Sequence, residues 1–124
     1  MRIIVAGGRD FSNYAILDKI LSEEINPPFD CIISGDARGA DALGALWAAK
    51  HGVPLQHFPA YWNTYGKNAG YIRNAEMAEH GDMLIAFWDR QSSGTAHMIK
   101  TMKIKKKPYK IFNYKGELIE NDNC

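Results

Sequence analysis

Eight consecutive residues, Ser34-Gly35-Asp36-Ala37-Arg38-Gly39-Ala40-Asp41, gather the groups that could hold an anion. The β-branched run Cys31-Ile32-Ile33 before them reads as a buried strand. The alanine- and leucine-rich residues 42–49 after them read as a helix. A strand that turns through glycines into a helix leaves N–H groups unpaired at the positive end of the helix dipole. That is a ready site for phosphate or another anion. Helix capping by Asp41 or Asp36 is the simpler use of the same residues, but a cap needs neither Arg38 nor the flanking glycines.

Three other stretches mix glycine, charge and aromatic rings. Gly7-Gly8-Arg9-Asp10-Phe11 follows the apolar residues 2–6. Residues 60–70 hold Tyr61, Trp62, Tyr65, Gly66, Lys67 and Gly70 in one connector. Trp88-Asp89-Arg90-Gln91-Ser92-Ser93-Gly94 follows the apolar run 83–87.

The elements that must position these stretches alternate in type. Residues 2–6, 29–33, 53–58, 83–87 and 109–112 read as strands. A helix capped by Ser12 or Asn13 runs to about residue 25, with Ile16, Leu17, Ile20 and Leu21 at helical spacing, and Asn26-Pro27-Pro28 stops it. Further helices run from about residue 39 to His51 with Gly52 as C-cap, from 71 to 80, and from Thr95 to about 105. From about residue 113 the chain is a short polar extension, with a turn at Lys115-Gly116 between short extended pieces. This alternation predicts one domain over residues 1–124, a Rossmann-like three-layer α/β/α fold on a mainly parallel sheet of about five strands. Ligands of such sheets sit beyond the carboxyl ends of the strands. The loops at 7–11, 34–41, 60–70 and 88–95 are expected to open on that one edge.

Composition narrows the function classes. A net charge of +1 excludes nucleic-acid binding by bulk electrostatics, so any such activity must come from local charge. Two cysteines, Cys31 and the terminal Cys124, make no disulfide framework. The absence of a signal peptide or a long apolar span points to the cytoplasm and to no membrane partner. His51, His57, His80 and His97 are not at metal-ligand spacing and no cysteine accompanies them, so neither a metal nor a cofactor is expected. His97 could act as acid or base near a bound sugar, or serve the fold. Ser34 and Ser93 have no partnered histidine and aspartate that would make either a nucleophile. The run Lys103-Ile104-Lys105-Lys106-Lys107 is either a solvated helix end or a nucleic-acid patch. Trp47, among alanines, reads as core.

These motifs, in this order, resemble the YspA-like family of small bacterial and phage proteins, within the SLOG superfamily. The resemblance runs through Gly7-Gly8-Arg9, Ser34-Gly35, Ala37-Arg38-Gly39-Ala40-Asp41, Arg73-Asn74 and Trp88-Asp89 to Ser93-Gly94-Thr95. It implies a Rossmann-like fold that binds nucleotides or nucleotide-derived molecules. The superfamily also holds the DNA-processing protein DprA, whose Ser-Gly and Ala-Arg-Gly stretch residues 34–41 resemble, and the LOG phosphoribohydrolases. Arg73 and the Ser93-Gly94-Thr95 loop are similar to the LOG pattern, in which an arginine and a glutamate carry N-glycosidic cleavage. Here Met98 stands in the place of that glutamate.

For such a ligand, Arg38 and Arg73 would pair with phosphate bidentately, helped by the helix starts at Gly39 and Gly94 and by the Ser93 or Thr95 hydroxyl. Asp36, Asp41 and Asp89 would accept from ribose hydroxyls or a base amino group. Trp62, Tyr65 and Trp88 offer flat faces for a base, with core or dimer packing as the alternative. For Arg73 the alternative is a surface ion pair with Glu76 or Glu79. The expected ligand-binding set is Gly7, Gly8, Arg9, Ser34, Gly35, Asp36, Arg38, Gly39, Asp41, Trp62, Arg73, Asn74, Trp88, Ser93, Gly94 and Thr95, and the catalytic candidates are Arg73, Asp36 and Asp89. The expected function is binding of a ribonucleotide, an ADP-ribose-like molecule or a nucleotide sugar, as a sensor or sequestering protein. The competing expectations are a hydrolase of an N-glycosidic or phosphate-ester bond in such a ligand, and a DprA-like nucleic-acid binder. Size and resemblance favour a homo-oligomer.

Overall fold

A computed structural model of the chain describes residues 1–24, 30–35 and 38–122. Six strands form one sheet: β1 (Arg2–Gly7), β2 (Cys31–Ser34), β3 (Leu55–His57), β4 (Met83–Phe87), β5 (Tyr109–Phe112) and β6 (Leu118–Asn121). Their spatial order is β3-β2-β1-β4-β5-β6, parallel throughout except for the last pair. The helices are α1 (Tyr14–Lys19, extended by a π turn over Ile20–Glu24), α2 (Ala40–His51), α3 (Trp62–Tyr65), α4 (Ala69–His80) and α5 (Ser93–Ile104). The three-layer Rossmann-like architecture is thus present, with one strand more than expected.

Alternation within the strands creates the layers. Ile3 and Val5 of β1 point to one face, where Leu17, Leu21, Trp47 and Ala48 of the α1 segment and α2 cover them. Ile4 and Ala6 point to the other, against Met77, Ala78, Met98 and Met102 of α4 and α5. A central strand covered on both sides must be apolar at every position, which is why 3–6 read as a continuous run. Gly44 lets α2 lie directly on that strand: a Cβ there would stand 2.8 Å from Val5 Cγ1. Trp47 is core, as its alanine-rich setting suggested, and its indole donates to Asp18 at 2.9 Å.

Local capping follows the sequence closely. Asn13 Oδ1 accepts from the Ile16 N–H at 3.2 Å, and Gly52 ends α2 in the left-handed conformation. Two expectations change. The connector at 60–70 is helical: α3, a 3-10 turn over Gly66–Asn68 and the start of α4 fill it, with Gly66 at φ +60° bending the path between α3 and α4. Helix α4 therefore begins at Ala69, whose buried methyl anchors it, rather than at residue 71. The polar extension contributes β6, which pairs antiparallel with β5. The lysine run is the exposed helix end, as one of the two readings had it, and its lysines are tied to the fold: Lys103 pairs with Glu120 and Lys105 with Glu79, each at 2.6 Å. Lys107 Nζ donates to the carbonyls of Ala78 and Gly81 at the end of α4. The expected stop at residues 26–28 and the first residue of the second strand lie outside the described residues. No helix among the described residues is long and apolar enough to cross a membrane.

Candidate functional site

The chain leaves β1 toward β2 and β3 and then returns to place β4 on the other side of β1. A crevice forms where the order reverses, between the loops that follow β1 and β4. In register, Gly7 lies beside Phe87, so both strands end at the same level. The cleft there measures about 450 Å³, within the range of small-molecule sites. Gly7, Gly8, Arg9 and Asp10 line it from β1, Asp41 from α2, Arg73, Asn74 and Met77 from α4, and residues 91–95 with Met98 from α5 and its approach.

Two of the loop glycines, Gly7 and Gly39, are there because backbone packs on backbone. A Cβ on Gly7 would run into the Phe87 main chain and stand 2.8 Å from Ala40 Cβ. Gly39 holds φ +76° against the main chain of Gly8 and Arg9. Gly8 N–H donates to Phe87 O at 3.1 Å, and Ala40 N–H donates to Gly8 O at 3.3 Å. These bonds seat the first turn of α2 on the β1 loop. Gly94 is different: a Cβ there would meet nothing within 4 Å. Protein packing does not require that glycine, and what it leaves uncovered is the cleft-lining start of α5.

The α5 start is built by its own loop. Asp89 Oδ1 accepts from the N–H groups of Gln91 (2.9 Å) and Ser92 (2.8 Å), which hold its carboxyl below the usual carboxylate range. Trp88 Nε1 donates to Ser92 O at 3.1 Å. Ser92 Oγ caps the helix by accepting from Thr95 N–H and lies 3.1 Å from Thr95 Oγ1. Among the described residues no acceptor takes the N–H of Ser93 or Gly94, both of which line the cleft. Two backbone donors at the positive end of a 12-residue helix are thereby left for something else.

Two neighbours on α4 tie the cleft together. Arg73 Nη1 donates to Gly35 O at 2.6 Å, and its Nε donates to Asn74 Oδ1 at 3.1 Å. Asn74 Nδ2 in turn donates to Gly94 O at 3.1 Å and lies 3.2 Å from His97 Nδ1. The loop after β2 and the loop after β4 are thus stapled through one pair of residues, and Gly35 and Gly94 stand on the same edge of the sheet. Burial pulls the Arg73 guanidinium below the ordinary arginine value, the Asp41 carboxylate pulls it back up, and Arg9 adds like-charge repulsion. An anion bound by the two arginines would offset the cost of burying the charge and cancel the repulsion. Arg73 has no ion pair with Glu76 or Glu79; Glu79 is held by Lys105.

The other expected residues fall in several places. Ser34 is buried, and its hydroxyl donates to Asp41 O at 3.1 Å, so it anchors α2 and does not line the cleft. Trp88 and Asp89 shape the α5 approach without lining the cleft, and Arg38 is exposed on the turn before α2. Trp62 is exposed on α3 beside a smaller adjoining groove. Asp36 lies outside the described residues. Reading the sequence missed Tyr114, in the turn between β5 and β6. Its ring leans on Phe11 and its hydroxyl donates to Asp10 at 2.5 Å, bracing the β1 loop from behind. Its one trace in the sequence is an aromatic residue in a polar stretch. Met77 and Met98 form an apolar floor to the cleft, with Met98 at the position the resemblance gave to the LOG glutamate.

Strand order, glycine loops and an open cleft at the switch point define a Rossmann-like α/β domain. Residues 1–65 match the model of the YspA, cpYpsA-related SLOG family (YAcAr), and the chain belongs to that family. It is similar to the gene 61 protein of Mycobacterium phage D29, at 31% identity over 107 residues covering 80% of this chain and 86% of that protein. No solved structure matches the chain. The match to the family model runs from β1 through α3; Arg73, Asn74 and the α5 start lie beyond it.

Proposed function

We propose that the cleft binds the phosphate of a nucleotide or nucleotide-derived small molecule. The observation that carries this reading is the unclaimed pair of N–H groups at Ser93 and Gly94, with Arg9 and Arg73 lining the same cleft. Backbone donors at a helix start and a desolvated arginine fork suit the charge and shape of phosphate. Each charge-assisted hydrogen bond of this kind contributes about 1.5–3 kcal/mol. Family membership, which points to nucleotide-related ligands, supports the nucleotide part.

The reading is of binding rather than turnover. Cleavage of an N-glycosidic bond develops positive charge on the sugar, which a carboxylate stabilises and a thioether does not. Met98 lines the cleft where the LOG pattern has its glutamate, and Asp89 is spent on its own turn. A DprA-like role is disfavoured because Lys103, Lys105 and Lys107 are all engaged within the fold. A sensor or sequestering protein working as a homo-oligomer fits this reading.

The test is a calorimetric titration with ribose 5-phosphate, AMP and ADP-ribose, with free base and sugar phosphate followed by chromatography. Saturable binding without product is expected. Absence of binding by all three would refute the phosphate reading. Product release lost on Asp41→Asn would replace the binder with a hydrolase.

A further inference from the structure

The cleft continues sideways. A groove of about 170 Å³ runs from it over the start of α4, sharing Arg73 and Gly94 with the cleft and walled beyond them by Trp62, Lys67, Gly70 and Tyr71. Trp62 is 51% exposed and Tyr71 45%, so both rings keep much of their surface in solvent on this one groove. Tyr71 is held in place by its ring contact with His97, 4.4 Å between centroids. Gly70 lies in the first turn of α4, where alanine would favour the helix more. A Cβ at Gly70 would stand 3.4 Å from Trp62 Cη2 and 3.8 Å from Arg73 Nη2. Its absence keeps a passage open between the indole and the guanidinium. Gly94 does the same on the α5 side, where a Cβ would meet no protein atom within 4 Å.

We propose that this side groove stacks the aromatic base of the ligand whose phosphate the cleft holds. The inference rests on the phosphate reading and narrows it: the ligand is a nucleotide carrying a flat heterocycle, not a bare sugar phosphate. Continuity is the main argument. Arg73 and Gly94 belong to both spaces, so one molecule with an anionic end and a planar end spans them. Indole and phenol rings offer π faces to any base.

The experiment compares ribose 5-phosphate, AMP and ADP-ribose by calorimetry on the full chain and on a Trp62→Ala/Tyr71→Ala variant. Both side chains are exposed, and a thermal melt verifies that the variant is folded. AMP and ADP-ribose are expected to bind the native chain about 5- to 150-fold more tightly than ribose 5-phosphate, the range for one stacked base. The double variant should lose that advantage and keep its affinity for ribose 5-phosphate. Tryptophan emission should be quenched by AMP in the native chain, and the quench should disappear in Trp62→Phe. Equal binding of all three probes by the native chain overturns the stacking site and leaves the phosphate reading standing. Binding of none overturns both. An advantage that survives the double variant overturns the inference, and if light scattering shows that this variant changes the oligomeric state, the two rings form a subunit contact instead.

Discussion

Replacing Gly94 with alanine should make the protein more stable and its ligand weaker. The two effects come from the same geometric fact. Gly94 is the second residue of α5, its backbone is not left-handed, and a Cβ there meets no protein atom within 4 Å. Alanine removes freedom from the unfolded chain and favours the helix by about 0.5–1 kcal/mol. For a domain of this size that raises the unfolding midpoint by about 2–6 °C. On the phosphate reading, the new methyl group crowds the approach of a phosphate oxygen to the N–H groups of Ser93 and Gly94. Losing one charge-assisted hydrogen bond weakens binding of AMP by about 10- to 150-fold. Scanning calorimetry of the free protein and titration with AMP read the two quantities separately. Gly52→Ala is the control: that glycine also has open space around it but sits at φ +66°, so alanine there should cost about 1 kcal/mol and leave AMP affinity unchanged. A Gly94→Ala protein that binds AMP as tightly as the native chain would refute the claim that the α5 start is the phosphate site. Lowered stability would refute the claim that packing leaves the position free.

Arg73→Lys keeps the charge but loses the planar fork and the bond to Asn74, so AMP affinity should fall by about 10- to 150-fold with the far-ultraviolet spectrum unchanged. Unaltered affinity would reduce the residue to a loop staple. His97 titrates below its ordinary value of 6.5 because burial, and then Lys100, disfavour its cation. The native state therefore binds fewer protons than the unfolded chain in that window, so the contribution is full above about pH 6.5 and is lost as pH falls through the lower native value. Urea unfolding at about pH 5 and about pH 8 should show this pH dependence, and His97→Gln should flatten it. Tyr114→Phe keeps the ring on Phe11 but removes the donor to Asp10. It should cost about 0.5–1.5 kcal/mol by denaturant titration, and weaken AMP binding less than Arg73→Lys does.

Local patterns in the sequence make much of this fold legible. Ile3 to Ala6 had to be a strand covered on both faces, because an unbroken apolar run that short suits no exposed element. Asn13 and Gly52 marked helix ends through chemistry confined to one turn. Glycine and charge after successive parallel strands located the cleft edge, since parallel strands end on one side of a sheet. The alternatives that stayed open in the sequence all depended on contacts between distant residues. Arg73 reads as a site residue, with a surface ion pair as the alternative, and that alternative stays open until α4 packs and its guanidinium reaches Gly35, 38 residues away. Trp88 and Asp89 have the residue types of a binding site, yet short bonds within their own loop absorb them. Tyr114 and Asp10, 104 residues apart, meet only because β5 and β6 close the sheet's far side and carry the turn back over the β1 loop. Spacing along a chain encodes period and capping, whose partners lie within a turn or a strand. Which side chains line a cleft is decided by how the layers pack, and no local spacing carries that information.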